Sequence, residues 1–323
     1  MSELAVAAFA AETGTHQLER PRSARFAAFL AGFDDVAYRA RLAARGLRFL
    51  PRSDPRFPPL LRAIHDPPVG LFLRGVPGEE LLARPAVAVV GARACSPYGR
   101  HVARMLGREL AAAGLVVVSG LARGVDGEAH RGALEAGGAT VAVLGCGVDR
   151  DYPASHRNLA ARICERGLVV SEYAPGVEPA PWRFPARNRI VAGLAAATVV
   201  VEARERSGAL ITADLALEEG REVFAVPGEI TSALSAGSNA LLRQGATALT
   251  CVADVLEALG VEPAAAPDPR ADAAELLALL PASADELVRA TGRDAGELAG
   301  LLCELELAGL AHEQEGVYRP ARV

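Results

Sequence analysis

The sequence lacks lysine altogether, so all 34 of its Lys and Arg positions are arginines. A Schiff-base lysine and the lysine of a P-loop are thereby excluded. The five cysteines are scattered without a C-x-x-C spacing. That scatter argues against a disulfide framework or a zinc site and indicates a reducing compartment.

Long apolar runs are also missing. The longest, Ile190–Val201, is far shorter than the ~20 residues that a membrane helix needs. The first residues, MSELA, lack the positive region of a signal peptide. Because 51% of the residues are apolar and 23% are charged, we expect a folded cytoplasmic protein with no membrane partner.

Negative charge is concentrated at one end of the chain. The formal net charge is -5. The tail from residue 261 holds 5 Arg and 12 Asp or Glu, a net of -7, which leaves +2 for residues 1–260. An anionic ligand would therefore be bound by the body of the protein and not by the tail.

The apolar pattern divides the chain into four parts. Residues 1–80 have helical spacing at 24–33 and 36–47, then a proline-studded segment that we interpret as extended. Residues 81–260 alternate short β-branched runs with stretches of helical length, which predicts an α/β core with a parallel sheet. The six predicted strands are Val87–Val90, Leu115–Ser119, Thr140–Leu144, Leu168–Ser171, Thr198–Glu202 and Glu222–Ala225.

Residues 261–272 are rich in Pro and Ala and are predicted to be a linker. Residues 273–323 predict three helices, Glu275–Leu280, Ser283–Thr291 and Asp294–Ala308, and then a hairpin over Leu310–Arg319. Three helices followed by a hairpin suggest a winged helix. Its third helix has four acids and no Arg, so the major groove of DNA would repel it, and a protein-docking or regulatory role is favoured.

Ligands of open α/β sheets bind at the carboxyl ends of the strands. Small and basic residues follow several of the predicted strands, where backbone N–H groups and helix N-termini favour anions. The candidates are Gly91, Arg93 and Ser96 after the first strand, Ser119, Gly120, Arg123 and Gly124 after the second, Gly147 and Arg150 after the third, and Ser207 and Gly208 after the fifth. Plain turn chemistry is the alternative interpretation, but the repeated arginines favour phosphate binding.

Two basic stretches contain no acid. One is Arg93–Arg108, and the other, Trp182–Arg189, combines three Arg with two aromatic residues. Cations interleaved with aromatic rings are what single-stranded nucleic acid requires, because its phosphates are neutralised while its bases stack. We therefore add Phe184, Arg187, Asn188 and Arg189 to the predicted DNA-binding residues. The alternative is that the aromatic residues are core and the arginines are solvated.

Catalytic signals are weak. The dinucleotide fingerprint G-x-G-x-x-G, a Walker sequence and a G-x-S-x-G elbow are all absent. Asp126 and His130 share a helix face without a second histidine, so a metal site is improbable, and Asp126 is interpreted as a helix cap. Glu172 and Glu202 end strands and could act as bases, but neither has an evident partner. We predict no catalytic residue, no cofactor and no metal.

Taken together, these loops resemble the DNA-processing protein A family, also called DprA or Smf. The matching motifs include VVGAR ending at Arg93, SGLARGVD from Ser119 to Asp126, LGCGVD with Tyr152-Pro153, FPARNRI from Phe184 to Ile190, and SGALITA from Ser207 to Ala213. The resemblance spans residues 49–259, and the tail is similar to the winged helix of many members.

The resemblance implies a Rossmann-like core that binds single-stranded DNA, forms a homodimer and loads a RecA-type recombinase during natural transformation or recombination. A single-strand-binding protein is a further candidate partner. By motif, Arg93, Ser119, Gly120, Arg187 and Asn188 would contact phosphates, with Phe184 near a base. Family members usually have a longer helical domain before the core than this chain has.

Two other functions stay open. The core also resembles nucleotide phosphoribohydrolases, although the stretch Ser207–Asp214 lacks their Pro-Gly-Gly segment and their Glu, and Glu202 or Asp214 would then be catalytic. The third hypothesis is a pure interaction module that works through the acidic winged helix.

Overall fold

The computed structural model describes residues 2–13, 23–262, 269–307, 309–314 and 316–320. The chain divides into two compact units, Met1–Glu262 and Pro263–Val323. The first unit is built on a nine-stranded sheet and the second on a three-stranded sheet. Within the described ranges, no helix has both the length and the apolar character to cross a membrane.

The large sheet is mostly parallel. Its strands are β1 (Leu47–Pro51), β2 (Gly70–Arg74), β3 (Ala86–Val90), β4 (Val116–Ser119), β5 (Thr140–Val143), β6 (Leu168–Ser171), β7 (Ala197–Val200), β8 (Glu222–Ala225) and β9 (Thr247–Ala248). They are ordered β1-β2-β6-β5-β4-β3-β7-β8-β9 across the sheet. Strands β3 to β9 run parallel to one another, whereas β1 and β2 are each antiparallel to their neighbours.

The central strands are apolar at every position because both of their faces are covered. In β3, Val87 and Val89 pack into one layer of the core, and Ala88 and Val90 pack into the layer on the other face. All five residues of β3 are buried. The structure thus confirms the α/β core with a parallel sheet that these continuous runs predicted.

Helices cover both faces of this sheet. They are α1 (Glu3–Thr13), α2 (Ala24–Gly32), α3 (Asp35–Ala43), α4 (Pro59–Arg62), α5 (Pro97–Ala112), α6 (Val125–Glu135), α7 (Arg157–Arg166), α8 (Arg183–Leu194), α9 (Gly208–Glu218), α10 (Ala236–Arg243) and α11 (Val252–Ala258), with 3-10 turns at Glu79–Ala83 and Ala154–His156. Helices α4, α8, α9 and α10 contribute to the core on one face. Helices α5, α6 and α11, and beside them α1, α3 and α7, contribute to the core on the other.

The sequence pattern missed the first two strands. We predicted that the core begins at residue 81, yet Phe49 of β1 pairs with Phe72 of β2, and Phe72 pairs with Ser171 of β6 in the same sheet. The prolines that suggested an irregular segment end β1 and fill the connection to β2. Proline cannot donate to a sheet ladder, so here it bounds the two strands without entering the middle of either.

The second unit has its own small core. Its elements are α12 (Pro269–Leu279), β10 (Ala282–Ser283), α13 (Ala284–Thr291), α14 (Ala295–Leu307), β11 (Ala311–Gln314) and β12 (Val317–Pro320). Strand β12 pairs with both β10 and β11, and buried leucines of the three helices pack together. Three helices and a hairpin confirm the predicted winged helix. Of the predicted linker, 261–272, residues 263–268 lie outside the described residues, and the last four residues belong to α12.

Candidate functional site

The loops after β3, β4, β5 and β7 meet the start of α8 at the carboxyl edge of the sheet. Two adjoining cavities of about 340 and 380 Å³ lie there, and we refer to them together as the cleft. Both cavities are lined by Arg93, Ala94, Gly120, Ala122, Phe184 and Arg187. Four of these six residues were predicted from the sequence as DNA-binding residues.

The loop that carries Arg93 is fixed by hydrogen bonds to Glu202, which follows β7. The Ala92 N–H donates to the Glu202 carbonyl at 2.7 Å. The Glu202 carboxylate accepts from the Ser96 N–H at 2.9 Å and from the Ser96 hydroxyl at 2.5 Å. Since the Ser96 hydroxyl also accepts from the Gly99 N–H at the start of α5, this serine fixes the loop, and it does not line the cleft. The exposed Arg93 side chain is thereby presented on a fixed backbone.

The loop after β4 packs closely against side chains of α8. The buried Ser119 hydroxyl donates to the Val89 carbonyl at 2.6 Å, so this side chain does not reach the cleft. At Gly120, an added Cβ would lie 2.5 Å from Nη2 of Arg187 and 2.7 Å from Oδ2 of Asp126. Only glycine lets the Arg187 guanidinium and the Asp126 carboxylate approach this backbone from the two sides.

Gly124 joins the β4 and β3 loops. Its φ of +75° lies in the left-handed region, and a Cβ there would stand 2.3 Å from the Ala92 carbonyl and 2.7 Å from the Arg93 carbonyl. The next residue, Val125, donates its N–H to the same Ala92 carbonyl at 3.2 Å. Gly124 is therefore required for packing the two loops together, and it does not itself line the cleft.

Asp126 does not cap its helix, contrary to our sequence interpretation. The N-cap of α6 is Gly124, without a side-chain hydrogen bond. Oδ2 of Asp126 instead accepts from the N–H of Gly120 at 3.1 Å and of Ala122 at 3.3 Å, so the carboxylate fastens the loop below the cleft. Burial raises the pKa of Asp126, and the positive charge of Arg187 opposes that rise.

Arg187 forms the floor of the cleft. It projects from α8, its side chain is almost fully buried, and its guanidinium donates to the Val143 carbonyl at the end of β5. Burial lowers the pKa of Arg187 to about 10, and the nearby Asp126 carboxylate acts in the opposite direction. The group therefore stays cationic at neutral pH, fixed in place before any ligand arrives.

An aromatic pair stands beside these cations. The Phe184 ring stacks against the Tyr152 ring, with centroids 5.3 Å apart and an interplanar angle of 28°. The Arg93 guanidinium lies 5.4 Å from the centre of the Phe184 ring. Tyr152 follows β5 and lines the second cavity, although it was not among the predicted site residues.

The remaining wall of the first cavity mixes polar and apolar residues. It includes Gly91, Asn188, Ser207 and Gly208, all predicted, and Arg204, which was not. The Asn188 amide donates to the Gly208 carbonyl at 3.1 Å, which joins α8 to the start of α9. The side chain of Ser207 makes no capping bond to α9. The predicted Arg123 is exposed at the second cavity.

Three predicted residues lie away from the cleft, two of them in ion pairs and one buried. Arg189 pairs with Glu172 at 2.7 Å and with Asp66 at 3.0 Å. Arg150 pairs with Glu178 at 2.6 Å. Gly147 is buried beneath its own loop. None of the three lines the cleft, so their contact with DNA stays a prediction that this arrangement does not favour.

The cleft suits anion binding better than catalysis. Arg93, Arg123, Arg187 and Arg204 line it, and Asp126 is the one acidic residue among its lining residues. The two acids considered as bases both have partners, Glu172 with Arg189 and Glu202 with Ser96. Across the ranges that the structure describes, no three His, Cys, Asp or Glu side chains are grouped to hold a metal ion.

Comparison with known proteins decides the family. Residues 48–260 match the family model described as DNA recombination-mediator protein A, and residues 260–316 match that of the DprA winged helix domain. The chain belongs to the DprA/Smf family. The resemblance stated from the loop motifs is therefore confirmed.

Individual DprA/Smf relatives agree with this assignment. The chain is 48% identical to DNA processing protein DprA of Streptococcus pneumoniae over 207 residues, which cover 63% of this chain and 71% of that protein. It is 45% identical to Protein Smf of Escherichia coli over 213 residues, which cover 65% of this chain and 56% of that protein.

Two solved DprA structures share the fold. The structure of the S. pneumoniae protein superposes with a TM-score of 0.68 at 40% identity, covering 79% of this chain and 91% of that one. DNA processing protein A of Helicobacter pylori superposes with a TM-score of 0.58 at 33% identity, covering 62% of this chain and 92% of that one. The H. pylori structure describes how that protein binds single-stranded DNA.

Proposed function

We propose that this protein binds single-stranded DNA through the cleft, carries out no chemical step itself, and passes the strand to a RecA-type recombinase in the cytoplasm. The observation that carries the proposal is the cleft itself, which is lined by four arginines from separate elements and by one acid, the buried Asp126. Phosphate groups are the natural ligands of clustered guanidinium groups, which can bind them through paired N–H donors.

Single strands are favoured over duplex by the aromatic pair. Phe184 and Tyr152 lie at the same cleft as the arginines, and unpaired bases can stack on rings while their phosphates are neutralised. The single-stranded DNA binding of the H. pylori relative supports this choice. Transfer to a recombinase, contact with a single-strand-binding protein and homodimer formation come from the family resemblance alone.

The phosphoribohydrolase hypothesis has little support in the geometry. Glu202 is buried and accepts two hydrogen bonds from Ser96, and it lies outside the cleft. Asp214 is exposed on α9 and also lies outside the cleft. A base-releasing enzyme needs a carboxylate at the bound nucleotide, and Asp126, the one acid of the cleft, is already used to fasten its loop.

The test is a pair of charge reversals with matched net charge. Arg93→Glu removes a cation of the cleft, whereas Arg108→Glu changes an exposed arginine toward the other end of α5. Binding of fluorescent oligothymidine is followed by anisotropy across a salt series, with a duplex of equal length in parallel. Four phosphate contacts correspond to a slope of about -3 in log affinity against log salt.

We expect Arg93→Glu to weaken binding strongly and to make that slope less steep by about 0.7 or more, while Arg108→Glu stays near the wild type. Equal losses in both variants would show that only the overall charge matters. Wild-type binding by Arg93→Glu, or a preference of the wild type for duplex, would contradict the proposed function.

A further inference from the structure

Tyr152 is the ring beside the cleft with free surface. The residue is 40% exposed, and it lines the second cavity next to Pro153. Phe184 is more enclosed, because it packs against the Tyr152 ring and also lies under the Arg93 guanidinium. A base that reached for Phe184 would have to displace one of these neighbours.

The position of the aromatic pair is fixed by the loop after β5. An added Cβ on Gly145 would lie 2.9 Å from Cδ1 of Phe184, so the ring rests directly on this backbone. Stacking of Tyr152 on Phe184 then sets the orientation of the outer ring. The Tyr152 ring is held in a defined plane while much of it stays exposed.

The cavity beside Tyr152 suits the face of a base better than its edge. Its lining includes the buried apolar residues Leu144 and Cys146 together with the aromatic pair. Its lining contains no Asn, Gln, Asp or Glu, so the side chains that recognise adenine or cytosine edges are absent from it. Arg93, Arg123 and Arg187 line the same cavity, so phosphates on either side of a stacked base could be neutralised.

We propose that Tyr152 is the platform on which a base of the bound strand stacks. The base would lie on the outer face of the Tyr152 ring, whose inner face packs on Phe184, and Phe184 in turn contacts Arg93. This inference rests on the proposed function and assigns the base contact to a residue that was not among the predicted DNA-binding residues. Because every base has a π face, stacking on the Tyr152 ring tolerates any base.

The experiment compares two polymers and three variants of the full chain. Tyr152→Leu removes the ring, Tyr152→Phe keeps it, and Tyr98→Leu removes a tyrosine of similar exposure that lines a different cavity. Each is titrated with oligothymidine and with an abasic oligomer of the same length, and thermal unfolding checks that each variant is folded.

We expect Tyr152→Leu to weaken oligothymidine binding by about 5- to 100-fold, the usual effect of losing one stacked base, with an unchanged salt slope. Tyr152→Phe and Tyr98→Leu should match the wild type, and on the abasic oligomer all four proteins should bind alike. Oligothymidine binding by Tyr152→Leu at the wild-type level overturns the inference, and so does an equal loss on the abasic oligomer, which would mean a structural role.

These outcomes separate the inference from the function on which it rests. If the wild type binds oligothymidine and Tyr152→Leu does so equally well, the platform is rejected and the cleft remains a DNA site. If the wild type binds neither polymer, the proposed function is rejected and the platform with it.

Discussion

Gly120→Ala tests whether the cleft depends on the close approach of α8 to the loop after β4. The new Cβ would lie 2.5 and 2.6 Å from the two terminal nitrogens of Arg187 and 2.7 Å from Oδ2 of Asp126. Cβ atoms essentially never come within 3.0 Å of other heavy atoms, so at least one of these groups has to move. Arg187 is almost fully buried, and moving its guanidinium breaks the bond to the Val143 carbonyl.

The size of the effect follows from these contacts. Overpacking a filled site costs about 1–3 kcal/mol. At about 2–4 °C per kcal/mol for a unit of this size, the melting temperature of the first unit should fall by about 2–12 °C. Displacing one charged donor from a phosphate contact should also weaken oligothymidine binding about tenfold or more.

Calorimetry and anisotropy on the full chain measure the two effects. Gly300→Ala is the control, because an added Cβ there meets nothing within 4 Å. It lies within α14 of the second unit, where alanine should add up to about 1 kcal/mol of helix stability. A Gly120→Ala protein with wild-type melting temperature and wild-type affinity would refute the reasoning.

Two further outcomes are expected. Burial lowers the pKa of His130 to about 3, so its contribution to stability is present above pH 6.5 and is lost as the pH falls toward 3. The melting temperature of His130→Gln should therefore fall less steeply with acidification, and an equal slope would contradict this assignment. A chain truncated after Glu262, which keeps the whole cleft, should bind oligothymidine as tightly as the full chain. Loss of binding on truncation would show that the acidic winged helix takes part.

The site residues that follow strands could be predicted from the sequence, because the strands themselves could. Gly91, Gly120 and Arg93 follow apolar runs that form adjacent parallel strands, so the sheet brings them to one edge. Arg204 follows β7 in the same way and could have been found by the same rule.

Which side of α8 faces the cleft could not be predicted from the sequence. Arg187 and Arg189 are two residues apart on α8, which turns them about 200° from each other, to opposite sides of the helix. Only the packed structure shows that Arg187 enters the cleft while Arg189 pairs with Glu172. Tyr152 was missed for a similar reason, because its neighbour Phe184 is 32 positions away and meets it only in the folded chain.

Under the proposed function, the carboxylate of Asp126 also bears on how long a strand stays bound. It lies beneath the floor of the cleft, where it offsets part of the charge of Arg187. Differences in affinity between related complexes arise mainly from their dissociation rates, so under the proposed function we expect this acid to act mainly on how fast a bound strand is released. A strand that is to be transferred to a partner must first dissociate, and the partial neutralisation of Arg187 by Asp126 would favour that dissociation.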